Sequence, residues 1–259
     1  MSEVIFYERP VPLNRESHKD LRLKPMPNLQ FSAKAHSVPL ACVEFASAAH
    51  DVPVLFAGNS VDDATPVALT GVRQDENLMV DAQGHWADSK YVPAFVRRYP
   101  FILAEKPAGE EGNDFAVFLD EASEAFSQDD GERLFNEDGS DGEVMKNVVN
   151  FLTDYQSQIN RTRQFMSRLR ALDLLVGRNI EIKLPGNNIV LNGLFVVDEE
   201  KLLKLDAETV HGMLQDGTLA FVHAHLFSLP CLDFLIHRLR MRMTPEELAQ
   251  MEKAEKPEL

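Results

Sequence analysis

The longest regular pattern of hydrophobic positions lies between residues 143 and 176 and predicts one long amphipathic helix. Apolar side chains recur there mostly at spacings of three and four, which places them on one helical face. The members of this face are Val148, Leu152, Tyr155, Ile159, Met166 and Leu169. Gly177 follows the pattern and is typical of the end of a helix.

Shorter helical patterns fill most of the remaining C-terminal sequence. They predict helices at 199–205, 207–215, 218–229 and 231–241. Asp206 precedes the second of these as a typical N-cap, and Pro230 separates the last two. From Thr244 the chain reads Thr-Pro-Glu-Glu, a capping box that predicts the start of a polar terminal helix.

Runs of apolar and β-branched residues predict antiparallel strands. Single strands are predicted at 52–57, 66–73 and 77–87, and hairpins pair 101–106 with 114–121 and 180–184 with 189–198. Pro-Gly-Asn-Asn at 185–188 is a turn signal for the second hairpin, because Gly and Asn tolerate positive φ. Short helices are predicted at 39–51 and 91–100. The mixture predicts an α+β fold, a mostly antiparallel sheet with short helices followed by a helical C-terminal part with one β-hairpin.

Composition divides the chain into five stretches. We expect an extended N-terminal arm over 1–40, an α+β core over 41–126 and an acidic loop over 127–142. The long helix, hairpin and C-terminal helices of 143–243 are expected to pack on the core as one domain, and 244–259 forms the terminal helix. Five prolines in the arm exclude a long helix there, and the Asp, Gly and Asn residues of the loop favour turns.

The charge is concentrated in one segment. The formal net charge is −15, and residues 105–143 carry 14 acidic against two basic side chains, so the rest of the chain carries only −3. Because phosphate backbones require a basic face, we expect no nucleic-acid partner. No apolar run approaches the roughly 20 residues of a membrane helix, so we expect no membrane insertion. The acidic start, with Glu3 and Glu8, does not resemble a secretory signal, which predicts a cytoplasmic protein.

Motifs for metals and cofactors are missing from the sequence. There is no Gly-x-Gly-x-x-Gly, no phosphate-binding Walker loop, no Gly-x-Ser-x-Gly and no His-Glu-x-x-His. His223 and His225 are two residues apart, which on a helix points them in directions too different for joint chelation. Cys42 and Cys231 lie among apolar neighbours and are expected to be small buried residues. We therefore predict no metal and no cofactor.

The densest polar cluster lies between residues 91 and 101. Two adjacent arginines, Arg97 and Arg98, stand there beside Tyr91 and Tyr99. One interpretation is that the arginines hold a carboxylate or phosphate through paired hydrogen bonds. The other is that one of them pairs with a nearby carboxylate, such as Asp120 or Glu121, and braces the sheet.

A second acidic cluster, 198–200, also has two interpretations. Its Asp-Glu-Glu sequence offers groups for acid–base chemistry. An acidic first helical turn explains the same residues without any chemistry, because it complements the helix dipole.

Four runs of sequence resemble the SapC family of proteobacterial proteins. They are YVPAFVRRYPF (91–101), FAVFLDEAS (115–123), GLFVVDEEKLLKLD (193–206) and DGTLAFVHAHLFSL (216–229). The resemblance extends over roughly residues 5–240, with the runs in the order of the family. A tyrosine commonly stands in the family where this chain has His223, which leaves His225 as the matching histidine.

The resemblance implies an accessory role without a defined reaction. The family is named for a surface-layer locus, and its members tend to be encoded beside halogenase-like and cupin-like proteins and TonB-dependent receptors for carbohydrates. One hypothesis is therefore a cytoplasmic accessory or binding protein for nutrient uptake or surface-layer biogenesis, which docks a protein partner or a small ligand on 91–101. The other is an enzyme or ligand-binding protein working beside such oxygenase-type partners, with Arg97 or Arg98 on a substrate carboxylate or phosphate and His225 as acid–base. The binding candidates are Tyr91, Arg97, Arg98, Tyr99 and His225. The first hypothesis is favoured because no nucleophile, metal set or cofactor loop is visible.

Overall fold

The computed structural model describes residues 5–105, 115–182 and 188–248. The helices are α1 (Phe45–Ala48), α2 (Ala94–Arg97), α3 (Glu143–Ala171), α4 (Glu199–Leu203), α5 (Ala207–Gln215), α6 (Thr218–Ser228) and α7 (Cys231–Met241). The first strands are β1 (Pro10–Pro12), β2 (Arg22–Leu23), β3 (Ser37–Pro39), β4 (Val54–Ala57), β5 (Thr65–Leu69), β6 (Phe101–Glu105) and β7 (Phe115–Asp120). The remaining strands are β8 (Phe126–Ser127), β9 (Glu132–Arg133), β10 (Leu175–Gly177), β11 (Ile180–Ile182), β12 (Ile189–Leu191) and β13 (Leu194–Val197).

Antiparallel sheets form the framework of the fold. The largest has five strands in the order β10-β13-β4-β5-β3, and every neighbouring pair is antiparallel. Two three-stranded sheets have the orders β1-β7-β6 and β8-β2-β9, and β11 pairs with β12 alone. Helices dominate from α3 onwards, so the α+β fold with a helical C-terminal part is confirmed.

Helix α3 connects two apolar clusters. Its first half buries Met145 and Leu152 in a small cluster with Phe101 of β6. Its second half buries Phe165 and Leu169 in the large cluster that also covers the five-stranded sheet. With 29 residues the helix is about 43 Å long, which lets a single element span both clusters.

Two predicted boundaries at the ends of α3 have different outcomes. The start at residue 143 is confirmed, whereas the end at 176 is wrong, because the helix stops at Ala171. Leu175–Gly177 instead forms β10, whose pairing with β13 competes successfully with helical continuation.

The predicted strand at 77–87 is wrong. The described backbone there consists of turns with one isolated bridge, between Val80 and Trp86. Side chains of Asn77 and Asp81 explain the difference, since each accepts a hydrogen bond from the backbone two residues further on. Such local bonds replace those of a strand ladder.

Two other predicted elements are shorter or divided. Only a 3-10 turn at Cys42–Glu44 and the four-residue α1 represent the predicted helix at 39–51. The predicted strand at 189–198 divides into β12 and β13 at Gly193, whose φ of +70° favours glycine. The turn of this hairpin and most of the terminal helix lie outside the described residues.

Several predicted local features are confirmed. Asp206 caps α5 by accepting from the Thr209 amide, and Thr244 and Glu247 exchange the two bonds of a capping box. Cys42 and Cys231 are buried and are not in a disulfide. The second acidic cluster is also explained structurally, since Asp198 caps α4.

The N-terminal arm is anchored by a buried carboxylate. Strand β1 pairs with β7 and so adds the arm to the sheet. Asp120, at the end of β7, is fully buried. It accepts hydrogen bonds from the amides of Glu8 and Arg9 at 3.0 and 2.8 Å and from the Tyr99 hydroxyl at 3.0 Å. These donors replace the water that a buried carboxylate loses.

A buried histidine connects α6 to the five-stranded sheet. His225 is fully buried, and its Nδ1 lies 2.7 Å from the Val54 carbonyl of β4. Because a carbonyl only accepts, Nδ1 carries the proton, and Nε2 accepts from the Val197 amide of β13 at 3.1 Å. Only the neutral ring satisfies both bonds, and burial lowers its pKa from 6.5 to about 4.

We predict that Asp120→Ala detaches the arm. The substitution leaves the amides of Glu8 and Arg9 and the Tyr99 hydroxyl without their acceptor, so the free energy of unfolding should fall by about 3 kcal/mol. Urea unfolding measures the loss, and hydrogen exchange at the Glu8 and Arg9 amides should accelerate. Glu121→Ala is the control, since Glu121 makes one partly exposed ion pair, with Arg9, and one hydrogen bond, with His18 Nε2. A partly exposed ion pair contributes below about 1 kcal/mol. Equal losses in the two variants would contradict this role of Asp120.

We also predict that His225 makes the protein sensitive to acid. The pKa of His225 is lower in the folded protein than in the unfolded chain. Its contribution to the free energy of unfolding is therefore complete above about pH 6.5 and is lost as the pH falls towards 4. Between about pH 7 and pH 5 this costs about 2 kcal/mol of unfolding free energy. His225→Gln keeps a donor and an acceptor without titrating, so it should lose about 2 kcal/mol less over that range.

Urea titrations at each pH measure this effect. His211→Gln is the matched control, because it changes an exposed histidine on α5 and should follow the wild-type pH dependence. Parallel curves for wild type and His225→Gln would refute the assignment.

Candidate functional site

A groove of about 300 Å³ lies between residues 97–101 and the first half of α3. We call it the Arg97 groove. Its lining residues are Leu23, Arg97, Arg98, Tyr99, Pro100, Phe101, Val144, Asn147, Val148, Phe151 and Leu152. Apolar side chains dominate this set, and the two arginines supply its positive charge. Such a mixture of apolar walls and a few polar groups is typical of ligand sites.

A buried glutamate holds the segment that carries the arginines. Glu44 is only 6% exposed. It accepts hydrogen bonds from the Tyr91 hydroxyl at 2.8 Å and from the amides of Ala94 and Ala41 at 2.7 and 2.9 Å. The Ala94 bond satisfies an amide at the first turn of α2, so Glu44 fixes where this helix begins.

Arg97 lies between two aromatic rings at the exposed side of the groove. Its guanidinium carbon is 5.8 Å from the centre of the Tyr91 ring and 5.5 Å from that of Phe151. Its Nε donates to the Val92 carbonyl at 2.9 Å, and one Nη donates to the Tyr91 hydroxyl at 3.3 Å. These contacts orient the guanidinium and leave further N–H groups for a ligand.

Arg98 is held by aromatic contacts rather than by a counter-ion. Its guanidinium carbon lies 3.9 Å from the centre of the Phe95 ring and 5.6 Å from that of Tyr155. Its Nε is buried without a hydrogen-bond partner. A buried donor that lacks an acceptor is unfavourable, so an acceptor placed there by a ligand would be stabilising.

The predicted bracing pair is wrong. Within the described residues no carboxylate approaches Arg97 or Arg98 to 4.0 Å, whereas Asp120 takes its donors from the arm and Tyr99. Glu121 instead pairs with Arg9 at 3.1 Å and with His18 at 3.2 Å. Neither groove arginine therefore forms a direct ion pair with a described acid.

The tyrosines near the groove are held in their protonated form. Burial raises the pKa of Tyr99 to about 12, and burial together with the Glu44 carboxylate raises that of Tyr91 to about 12. Tyr99 is also fixed by stacking on Phe31, with ring centres 4.0 Å apart. Near neutral pH these hydroxyls donate hydrogen bonds and do not act as bases.

The sequence candidates do not all meet at one place. Arg97, Arg98 and Tyr99 line the groove, and Tyr91 contacts it through Arg97. His225 lies in the core, where the backbones of β4 and β13 occupy both ring nitrogens. It is therefore unavailable as an acid or base for a ligand in the groove.

Three contributors to the site were missed by sequence reasoning. Glu44 was missed because the two donors that tie it to this segment, Tyr91 and Ala94, lie 47 and 50 residues away. Phe151 and Asn147 sit on the predicted long helix. Phe151 follows Asn147 by four residues and Val148 by three, and this helical spacing is the signal that places Phe151 on the same side as both.

A larger cavity, of about 680 Å³, lies between 77–82 and α7. Its arginines already have acceptors. Arg238 donates to the Leu78 carbonyl, and Arg242 donates to the carbonyls of Asn77, Leu78 and Val80. Their role is to attach α7 to the loop, which makes this cavity a weaker ligand candidate than the Arg97 groove.

In the described residues no three His, Cys, Asp or Glu side chains come together as a metal site.

Comparison with known proteins identifies the family. The SapC family model matches residues 13–235, which is most of the chain and includes the whole Arg97 groove. No curated protein and no solved structure matches the chain. The match over this length shows that the chain belongs to the SapC family.

Proposed function

We propose that this SapC-family chain is an accessory binding protein whose Arg97 groove holds a small carboxylate- or phosphate-bearing ligand with an apolar body. The observation that carries the proposal is the pair of adjacent guanidinium groups without a carboxylate partner among the described residues. One of them has a buried Nε that lacks an acceptor. Carboxylates and phosphates supply pairs of anionic oxygens, which guanidinium groups bind through two parallel hydrogen bonds.

The rest of the groove determines the shape of the ligand. Val144, Val148 and Phe151 line one wall along α3, next to the charged end. An apolar ligand body of a few carbon atoms fits a volume of about 300 Å³, which is at the small end for ligand pockets. We therefore infer an anionic head on the arginines and a short apolar tail along α3.

Binding is favoured over catalysis by the groups around the groove. Tyr91 and Tyr99 keep their protons near neutral pH, and His225 is committed to the core. The arrangement therefore offers donors and charge but lacks, in its described part, a group that titrates for proton transfer.

The family supplies the cellular setting of this proposal. We propose a cytoplasmic protein that assists carbohydrate or nutrient uptake through TonB-dependent receptors, or surface-layer biogenesis. Halogenase-like or cupin-like proteins are the proposed protein partners. In this setting the protein binds an anionic metabolite in the groove, either to sense it or to deliver it.

The prediction is tested with simple probes on the full chain. Hexanoate and hexyl phosphate should shift the amide NMR signals of 97–101 and 144–152 in a saturable way, whereas hexanol should not. Comparison of the two affinities shows whether the groove prefers a carboxylate or a phosphate. Arg97→Ala should weaken binding of the better anion at least about fivefold, because it removes a charged hydrogen bond.

The controls separate recognition from folding. Arg97 is exposed, so the variant should keep the wild-type unfolding temperature. Arg163→Ala removes an exposed arginine of α3 that, among the described residues, bonds only Asn160, and it should leave binding unchanged. Hexanol binding as strong as hexanoate binding, or an unchanged affinity in Arg97→Ala, would refute the proposal.

A further inference from the structure

The exposed face of α6 and α7 is apolar. Eight residues between 218 and 241 are exposed, and Asp233 is the single charged one among them. The other seven, which we call the α6–α7 stripe, are Ala220, His223, Phe227, Pro230, Phe234, His237 and Met241. Phe227 is 75% exposed, Phe234 60% and Met241 75%. Large apolar side chains gathered on one exposed face mark an interaction surface.

The residues of the stripe have the spacing of a surface along which two helices pack. Its members alternate at intervals of three and four, so one set repeats every seven residues from Ala220 to Met241. This is the repeat with which a helix packs along a second helix. The helical backbone continues across Pro230, whose φ and ψ are −61° and −17°, so the stripe is one surface.

The opposite face of the same helices is already occupied. Val222, His225, Leu235 and Leu239 are fully buried against the body of the protein. With apolar residues on both faces, Thr218–Met241 is long and apolar enough to cross a membrane by length and composition alone, with 33% of that window buried. The stripe is therefore additional to the core, and the described residues do not cover it.

The set of the stripe that repeats every seven residues is self-complementary. A two-fold axis beside the Pro230–Cys231 bond pairs residues equally distant from it on two antiparallel copies. Phe227 then lies opposite Phe234 of the second copy, and Ala220 lies opposite Met241, a small residue against a large one. A two-fold interface requires such reciprocal pairing, since the same surface is used twice.

The area of the stripe matches that of a specific dimer. The seven side chains expose roughly 650 Å² in each copy, so mutual burial removes about 1,300 Å² from water, within the range of stable interfaces. The 24-residue segment is about 36 Å long, enough to carry such an interface on one helix.

We propose that this protein forms a two-fold dimer in which the α6–α7 stripes of two copies pack antiparallel, crossing near Pro230. The inference rests on the stripe alone and is independent of the Arg97 groove. Sedimentation velocity of the full chain should show a species of twice the chain mass. Phe234→Asp should raise the dimer dissociation constant at least about 100-fold, because it places a charge at the centre of the interface.

Leu203→Asp is the matched control. Leu203 is 85% exposed on α4, away from the stripe, so the same substitution there should leave the dimer unchanged. Because Phe234 is exposed, both variants should keep the wild-type circular dichroism. A wild-type monomer at all concentrations, or a dimer insensitive to Phe234→Asp, would overturn the proposal. So would a monomer that co-sediments with phosphatidylcholine vesicles through the stripe.

Cysteine cross-linking tests the orientation of the two copies. A mixture of Phe227→Cys and Phe234→Cys chains should form a disulfide between copies under mild oxidation, whereas each variant alone should not. The native Cys42 and Cys231 are buried, and wild type provides the background. Cross-linking of Phe227→Cys with itself, or a dimer without the mixed disulfide, would overturn the antiparallel arrangement.

Discussion

The structure depends on how two buried carboxylates are satisfied. Glu44 and Asp120 are shielded from water, yet both take their hydrogen bonds from backbone amides and tyrosine hydroxyls and not from cations. Had each acid recruited one of Arg97 and Arg98, the groove would carry no excess charge. Hydrogen bonding of these carboxylates to backbone amides therefore has two effects. It attaches the arm and α2 to the body, and it keeps the neighbouring guanidinium groups available.

Features with a local or periodic signature were predictable from the sequence. The start of α3, the Asp206 cap and the exchange of bonds between Thr244 and Glu247 each follow from residues within one or two turns. The Tyr91–Phe101 segment was recognisable from its adjacent arginines. The apolar spacing of α3 predicted the helix face whose Val148 and Leu152 line the Arg97 groove opposite this segment. The α+β class followed from how the strand and helix patterns alternate.

Features that depend on distant partners were not predictable. His225 resembled a chemical residue in sequence, but the backbones of β4 and β13, brought together by the sheet, fix it as a structural one. Residues 77–87 have the composition of a strand, yet the side chains of Asn77 and Asp81 bond the local backbone and form turns. Glu44 looked like an ordinary helix residue because its acceptor role is defined by Tyr91 and Ala94, far along the chain.

The span of α3 has a consequence for recognition. One half of this helix forms a wall of the Arg97 groove, while its other half is fixed by the contact of Phe165 with Phe45 and Phe221. The wall therefore cannot tilt without disturbing the large apolar cluster. Its position is set when the chain folds, so a ligand meets a cleft whose shape is already made. Because the wall is already ordered, ligand binding does not carry the entropy loss of ordering it. Even a small groove can then discriminate between ligands by their shape.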